Sequence, residues 1–386
     1  MGNSPGFLSL RMPAKKIGIL GGGQLGRMML QEAANYPIET YVLDLDPECP
    51  AARLCTYYIQ GDINNFDAVY NFGKKVDVLT IEIEHVNIDA LEKLEEEGLE
   101  IIPKPAVLRT IKNKILQKQY YDNHQIPTSP HVIVGNRTDI AEHEYMLPAV
   151  FKTAEGGYDG KGVQLIKNRE AINDVHSAPG ILEKMVDIKK EIAQLVAVDR
   201  AGNTALYPPV EMMFDPVLNL LDFQLCPADI DEKTLWRVEA IARSVAKNFK
   251  SPGLFAVEMF LDNQGQVLVN ETAPRVHNSG HHTIEAHACS QFDMLIRILA
   301  GYPMGDPHLL HPSLMVNIIG AEGFSGPVKY EGLVKVLSME NAFVHLYGKA
   351  ETRPGRKMGH VTLLAHQQKN LVKQAHEVRK ILLPKA

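Results

Sequence analysis

Residues 16–46 confine the start of this chain to one kind of architecture. KIGIL (16–20) is an apolar run of strand length, GGG (21–23) follows at once, and QLGRMMLQEAANY (24–36) has the apolar spacing of a helix. TYVLDLD (40–46) reads as the next strand. VDVLTIEIE (76–84) and NIDALEKLEEEG (87–98) repeat the strand-then-helix order, the helix ending at Gly98. Strands that alternate with helices pair in parallel, because each crossover must pack back on the sheet with a right hand. A Rossmann-like parallel-sheet domain is therefore expected, punctuated by the PKP at 103–105.

From about residue 108 the texture changes. RTIKNKILQKQYYDNHQ reads as one long helix stopped by IPTSP, and AVFKT (149–153) and VQLI (163–166) read as strands flanking a glycine loop. EKTLWRVEAIARSVAKNF (232–249) is an amphipathic helix. GLFAVEMFLDNQGQVLVNETAP (253–274) reads as a hairpin turning at Asn263-Gln264-Gly265, and TIEAHACSQFDMLIRIL as a helix. After His311-Pro312 come short strands to 366 and a terminal helix, QQKNLVKQAHEVRKIL. The 386 residues divide into three expected segments, 1–107, 108–312 and 313–386, with no internal repeat. Residues 1–12 read as a disordered extension, with Met12 an alternative start.

Bulk composition narrows the function classes. A net charge of −6 gives no basic domain for nucleic acid, and no run of about eighteen apolar residues spans a membrane. Cys49, Cys55, Cys226 and Cys289 are scattered without a C-x-x-C pair, which suits a reducing cytoplasm and argues against a disulfide framework or a thiolate zinc site. MGNSPGFLSLR lacks the apolar core of a signal peptide, and Gly6 breaks the myristoylation pattern.

Gly21-Gly22-Gly23-Gln24-Leu25-Gly26 fits G-x-G-x-x-G between strand and helix, with Asp44 and Asp46 about twenty residues on. Three readings stay open for it: a dinucleotide fingerprint, a mere tight turn, or a cradle for the phosphate of a smaller substrate. FKTAEGGYDGKG combines Lys152 and Lys161 with four glycines between two strands. It fails the Walker pattern, since Gly162 follows Lys161 and no helix follows, but suits a hairpin flap whose amides and lysines cover nucleotide phosphates.

The richest stretch is NETAPRVHNSGHHTIEA, from Asn270. Glu258 lies mid-strand in FAVEMF and Glu271 near the end of the paired strand. Simple register places Glu258 opposite Asn270, so a bulge or fray is needed to bring the two carboxylates together. Such oxygens with phosphate oxygens make a magnesium site. A zinc cage from His277, His281 and His282 is the weaker reading, because no H-E-x-x-H or cysteine partner supports it. His282 and His287 read as packing or surface residues. Arg275, His277 and Asn278 lie in a polar loop suited to an anionic substrate.

These motifs in this order resemble the ATP-grasp superfamily. More closely, KIGILGGGQLGRMM, TIEIEHV, FKT-x-x-GGYDGKG, EKMV, VEMF, NETAPRVHNSGH and RPGRKMGH resemble the 5-(carboxyamino)imidazole ribonucleotide synthase family. The resemblance implies an α/β (overall α+β) ATP-grasp fold, with an N-terminal Rossmann-like domain and a small β-rich C-terminal domain. It implies ATP and Mg2+, with 5-aminoimidazole ribonucleotide and bicarbonate as substrates, and a homodimer. Lys114 and Lys152 are then nucleotide-phosphate contacts. Gly157, Tyr158, Asp159, Gly160, Lys161 and Gly162, followed by Val163, form the flap. Glu183, Lys184, Met185 and Val186 are the adenine hinge, with Glu191 at the ribose. Glu258 and Glu271 become metal ligands beside Asn270. Arg275, His277 and Asn278 are catalytic, while Tyr158, Asp159, Arg275 and Ser279 wall the substrate. Gln24, Leu25 and Glu82 lie on its phosphoribosyl side, the helix N-terminus of the GGGQLG loop receiving part of that group, and Lys349 and Arg356 partner its phosphate. Phe214 in VEMMF replaces the histidine of an E-N-x-H pattern, and Val163 replaces a glutamine. Three alternatives remain: a formate-using glycinamide ribonucleotide transformylase, an NAD(P)-dependent oxidoreductase, and a non-catalytic nucleotide-binding regulator.

Overall fold

The computed structural model describes residues 14–156, 162–214 and 221–386. The expected N-terminal extension and the flap residues Gly157, Tyr158, Asp159, Gly160 and Lys161 lie outside the described residues.

The N-terminal sheet is wholly parallel. Its order is Tyr57–Gln60, Ile38–Asp44, Lys15–Leu20, Val78–Ile81 and Glu100–Ile101. Side chains alternate across a strand, so Ile17 and Ile19 meet Met28 and Met29 of the helix Gln24–Ala33, while Leu20 joins Phe72, Leu91 and Leu94 on the other face.

A four-stranded antiparallel sheet follows, in the order His131–Val134, Gly180–Lys184, Ala149–Thr153, Val163–Ile166. Among the described residues the largest sheet has nine strands, one of them, Thr204–Leu206, pairing with Ile188–Val198 off the main path, and it crosses the expected 312/313 boundary. Its path runs Val267–Ala273, Gly253–Asp262, Ile188–Val198, Val210–Phe214, Leu221–Cys226, Ser313–Ile319, Lys357–Leu364, Ala342–Leu346. Leu221–Cys226 pairs directly with Ser313–Ile319, so the middle and C-terminal segments share one hydrogen-bonded ladder.

Two expected helices are broken. The long helix after residue 108 divides into Pro105–Lys112 and Lys114–Asn123, because Asn113 is extended and its side chain accepts from the Ile115 and Leu116 amides. An N-cap outcompetes helix continuation here, since asparagine favours caps over helix interiors. TIEAHACSQFDMLIRIL likewise divides into Thr283–Ala286 and Gln291–Ala300: His287 is extended, and Ser290 caps the second helix through the Asp293 amide. The terminal helix is shorter than expected, Leu371–Ile381.

Asn113→Ala is expected to cost about 1 kcal/mol, the usual worth of an N-cap. Urea denaturation should show a lowered midpoint with an unchanged slope; an unchanged midpoint would mean that the break does not depend on the cap.

Candidate active site

The hairpin of Gly253–Asp262 and Val267–Ala273 carries the central pair. Leu261, Phe260 and Met259 oppose Val267, Leu268 and Val269 in simple register, and then Asn270 is extruded and Glu258 opposes Glu271. A bulge adds one residue to one strand and restores pairing beyond it. Direct partners in a ladder share a face, so the bulge converts an opposed Glu258–Asn270 pair into two facing carboxylates. Desolvation, then the charges of Glu271 and Glu191, push the Glu258 carboxyl upward. Lys114 holds Glu271 downward against burial, through an ion pair and hydrogen bond. Oxygen donors from Glu258, Glu271 and Asn270, with two facing carboxylates of which Lys114 pairs with only one, fit a hard dication such as magnesium.

Two more cations lie beside the pair. Lys152 Nζ donates to Asn270 Oδ1 at 2.8 Å and stands 3.0 Å from Glu183 Oε2. Lys118 Nζ stands 2.9 Å from Glu183 Oε1 and also donates to the Thr128 hydroxyl. Burial would raise Glu183, but Lys152 and Lys118 outweigh it and hold the carboxyl at about 2. Sequence reasoning missed Lys118, although it lies four residues after Lys114 on one helix face, the spacing that brings side chains together.

The expected hinge is anchored rather than free along its length. The Lys184 amide donates to the Pro130 carbonyl at 2.8 Å and the Met185 amide to that of Pro148 at 3.1 Å. The Glu183 side chain faces the two lysines. Glu191 lies on the strand next to Glu258, and burial pushes its carboxyl up. Met212 opposes Glu191, and Phe214 packs with Met212 and Ala193 in an apolar cluster, which is how the sheet accommodates an aromatic ring at this position. Gly162, with φ of 78°, precedes Val163, which pairs with Lys152 at the flap's base.

The loop after the hairpin faces the carboxylates. His277 Nδ1 accepts from the Ser279 amide at 3.3 Å, so its Nε2 carries the hydrogen, 3.6 Å from Glu258 Oε1. Burial, then the positive charges of Arg275 and Lys357, pushes His277 down to about 3, leaving it neutral. Arg275 Nε stands 2.9 Å from Glu84 Oε1, a carboxylate from TIEIEHV that sequence reasoning did not single out. Asn278 and Ser279 open the short helical turn Asn278–Gly280.

GGGQLG is filled by the protein itself. Glu82 accepts from the Gly23 amide at 2.8 Å and the Leu25 amide at 3.1 Å, and Asp44 accepts from the Gly22 amide at 2.6 Å. A Cβ on Gly23 would meet Glu82 Oε1 at 2.3 Å, so this glycine admits a carboxylate where a dinucleotide fold admits pyrophosphate. The Gly22, Gly23 and Leu25 amides are thus bonded to Asp44 and Glu82, and a seat for the phosphoribosyl group at this helix N-terminus stands as a proposal. Gln24 is the helix's first residue and stays half-buried beside them. From the C-terminal segment, Lys349 lies within reach of the Glu82 and Arg356 charges, its Nζ donating to the Lys357 carbonyl at 2.8 Å. Arg356 donates to the Glu351 carbonyl at 2.7 Å. Burial, reinforced by Arg356, pushes Lys349 down to about 8.

The expected alternatives for the histidines separate cleanly. His277 faces Glu258, His281 stacks on His360 with ring centroids 4.7 Å apart, and His282 turns to Gln224, so these three form no cage. His282 and His287 are instead gathered with Cys226 in the core, correcting the expectation of no cysteine partner. Burial holds both imidazoles neutral; Cys226 Sγ lies 3.8 Å from His287 Nε2 and His287 Nδ1 2.8 Å from the Pro307 carbonyl, while His282 Nε2 has no hydrogen-bond partner among the described residues. The Gln224 Nε2 amide donates to both Ser279 O and His282 Nδ1, at 2.9 Å each, which leaves the hydrogen of His282 on Nε2 where a metal would need a lone pair.

Gly23→Ala is expected to displace Glu82 and destabilise the N-terminal domain by about 1–3 kcal/mol, the usual cost of overpacking. A thermal melt with an unchanged midpoint would show that the loop does not rely on that close approach.

Comparison with known proteins matches this geometry along the chain. A ribonucleotide synthetase preATP-grasp domain matches residues 14–112, an ATP-grasp domain 119–292, and a phosphoribosylaminoimidazole carboxylase C-terminal domain 313–374. The N5-carboxyaminoimidazole ribonucleotide synthase of Brucella melitensis is 35% identical over 358 residues, covering 91% of this chain and 96% of the relative. A chloroplastic phosphoribosylaminoimidazole carboxylase of Vigna aconitifolia is 36% identical over 363 residues, and the match takes in 90% of this chain but only 64% of that longer protein. The crystal structure of N5-carboxyaminoimidazole ribonucleotide synthetase from Thermotoga maritima superposes with a TM-score of 0.90 at 38% identity, covering 96% of this chain and 99% of that one. That of the Aspergillus clavatus synthase, in complex with ADP and 5-aminoimidazole ribonucleotide, has a TM-score of 0.86 at 31% identity, covering 95% and 99%. With the Brucella melitensis relative and the two solved structures matched over nearly their whole length, the chain belongs to the N5-carboxyaminoimidazole ribonucleotide synthase family of ATP-grasp ligases.

Proposed function

We propose that this chain joins bicarbonate to the amine of 5-aminoimidazole ribonucleotide at the expense of ATP, giving 5-(carboxyamino)imidazole ribonucleotide, ADP and phosphate in purine biosynthesis. The observation that carries the reading is the bulged pairing of Glu258 with Glu271, flanked by Lys114 and Lys152 and facing His277. The Aspergillus clavatus relative, solved with ADP and 5-aminoimidazole ribonucleotide, supports both ligands. Glu82 on the loop amides weighs against the NAD(P) alternative, since it stands where a pyrophosphate would bind.

Bicarbonate is a poor electrophile until one of its oxygens takes the γ-phosphoryl group, with ADP leaving. That transfer needs alignment and charge neutralisation more than a protein nucleophile. Lys152 and Lys114 supply fixed positive charge to the phosphates. Glu258 and Glu271, with Asn270 beside them, would hold magnesium, which would supply neutralisation of phosphate charge. The amine then attacks the activated carbon and phosphate leaves. Arg275, held by Glu84, grips the anionic electrophile, and neutral His277 offers its Nε2–H; with Asn278 they set the electrophile against the amine. Flap residues 157–162, including Tyr158 and Asp159, close over the phosphates and shield the intermediate from water. Lys184, Met185 and Val186 line the adenine side, Glu191 the ribose and Phe214 the pocket's apolar wall. Ser279, Gln24, Leu25 and Glu82 border the ribonucleotide, and Lys349 and Arg356 take its phosphate. Segments 1–107, 108–312 and 313–386 act as the domains of a homodimeric cytoplasmic enzyme.

ADP release from Mg-ATP, with and without the aminoimidazole ribonucleotide and bicarbonate, tests the reaction. Release that needs both, with a carboxylated product, is expected; turnover with a different ribonucleotide and formate would move the function to the sister ligase. Glu271→Gln should lower kcat by about 100-fold or more, the scale of losing a principal charge-stabilising group; wild-type turnover would remove Glu271 from the site. Lys349 gives a pH signature. Its ammonium is charged below about 8 and neutral above, so affinity for the ribonucleotide should fall as pH rises through about 8 and that dependence should vanish in Lys349→Met. A pH-independent KM in the wild type would exclude Lys349 as the phosphate partner.

A further inference from the structure

Lys118 has no part in the chemistry above, yet it is an ammonium group buried to 2% exposure. We propose that Lys118 is a positioning residue: by sharing the Glu183 carboxylate, it keeps the positive charge of Lys152 available to the nucleotide phosphates. The inference rests on the ATP-binding reading and deepens it.

One carboxylate serves two lysines, Glu183 Oε1 to Lys118 at 2.9 Å and Oε2 to Lys152 at 3.0 Å. The set therefore carries one surplus positive charge. Lys118 cannot present it to a ligand, because its ammonium lies behind Glu183 and donates to the hydroxyls of Thr128 and Ser129, the latter at 3.3 Å. Lys152 can: its side chain keeps 14% exposure and reaches Asn270, the bulged residue between the paired strands, at 2.8 Å. Taking Lys118 away would leave Glu183 and Lys152 as a neutral one-to-one pair in a poorly screened interior, where such pairing is strong. The phosphates would then meet a compensated lysine. An isolated buried ion pair is a poor stabilising device compared with apolar packing, so stability alone gives little reason for a lysine here.

The test compares ADP with adenosine, which lacks the phosphates, by calorimetric titration of the full chain. In Lys118→Met, ADP affinity should fall about ten-fold or more while adenosine affinity holds, and kcat should fall with it. Lys118→Arg should retain most of both. The decisive variant is Lys118→Met combined with Glu183→Gln: it removes the carboxylate that would capture Lys152, and the ratio of ADP to adenosine affinity should recover. A role in packing alone predicts a double variant no better than the single one, and that result would overturn the proposal, as would wild-type ADP affinity in Lys118→Met. If the methionine variant does not fold, Lys118→Gln carries the same comparison. Absence of carboxylation with ADP binding intact would count against the proposed reaction and leave this comparison standing; a wild-type protein that binds no ADP would overturn both.

Discussion

Two carboxylates face each other across a hairpin, and much of the neighbouring structure is arranged around them. Like charges repel, and the less the solvent between them the more strongly. Extrusion of Asn270 sets that repulsion up by bringing Glu271 opposite Glu258. Lys114 relieves one side of it, and Glu258 shows the unrelieved remainder as a carboxyl driven up by burial and by its neighbours' charge. A site with that imbalance suits the proposed dication together with an anionic ligand that brings its own charge. The lysines, the neutral His277 and the Arg275–Glu84 pair are then secondary to it: each fixes a charge or a donor around the same point.

The three segments meet through shared structure rather than loose linkers. The nine-stranded sheet carries the hairpin at one edge and continues without interruption into the strands Ser313–Ile319 and Lys357–Leu364. Lys349 and Lys357 thereby act electrostatically on Glu82 and His277, residues from two other segments. The glycine-rich turn has the same integrating role. It is closed by carboxylates from neighbouring parallel strands, so its amides tie the sheet's ends together.

The parallel sheet, the hairpin and the amphipathic helix Glu232–Asn248 were legible because periodicity and turn residues record them directly. The need for a bulge was legible too, since turn arithmetic alone misaligns the glutamates. Its position was not, because which residue is extruded depends on what the other strand's face must carry. The breaks at Asn113 and His287 leave no mark in the sequence, since a cap inside an otherwise helical pattern differs from a tolerated polar residue only in backbone angle. Glu84 and the Cys226–His282–His287 cluster are invisible for another reason: their partners are distant in sequence, and only the fold brings them together; Lys118 carries its helical spacing from Lys114 in the sequence, but not its pairing with Glu183. GGGQLG stays open in the sequence among a dinucleotide fingerprint, a tight turn and a phosphate cradle, because nothing there shows that Glu82, far along the chain, accepts from the Gly23 amide.

The central claim is that this charge arrangement lets bicarbonate, and not the amine or water, take the γ-phosphoryl group. Oxygen-18-labelled bicarbonate tests it directly. In freshly started turnover with 5-aminoimidazole ribonucleotide, the inorganic phosphate released should carry an oxygen from bicarbonate, because the bond broken in the second step is the one between carbon and that oxygen. Unlabelled phosphate formed alongside a carboxylated product would contradict the account and show that the carbon is captured without prior phosphorylation.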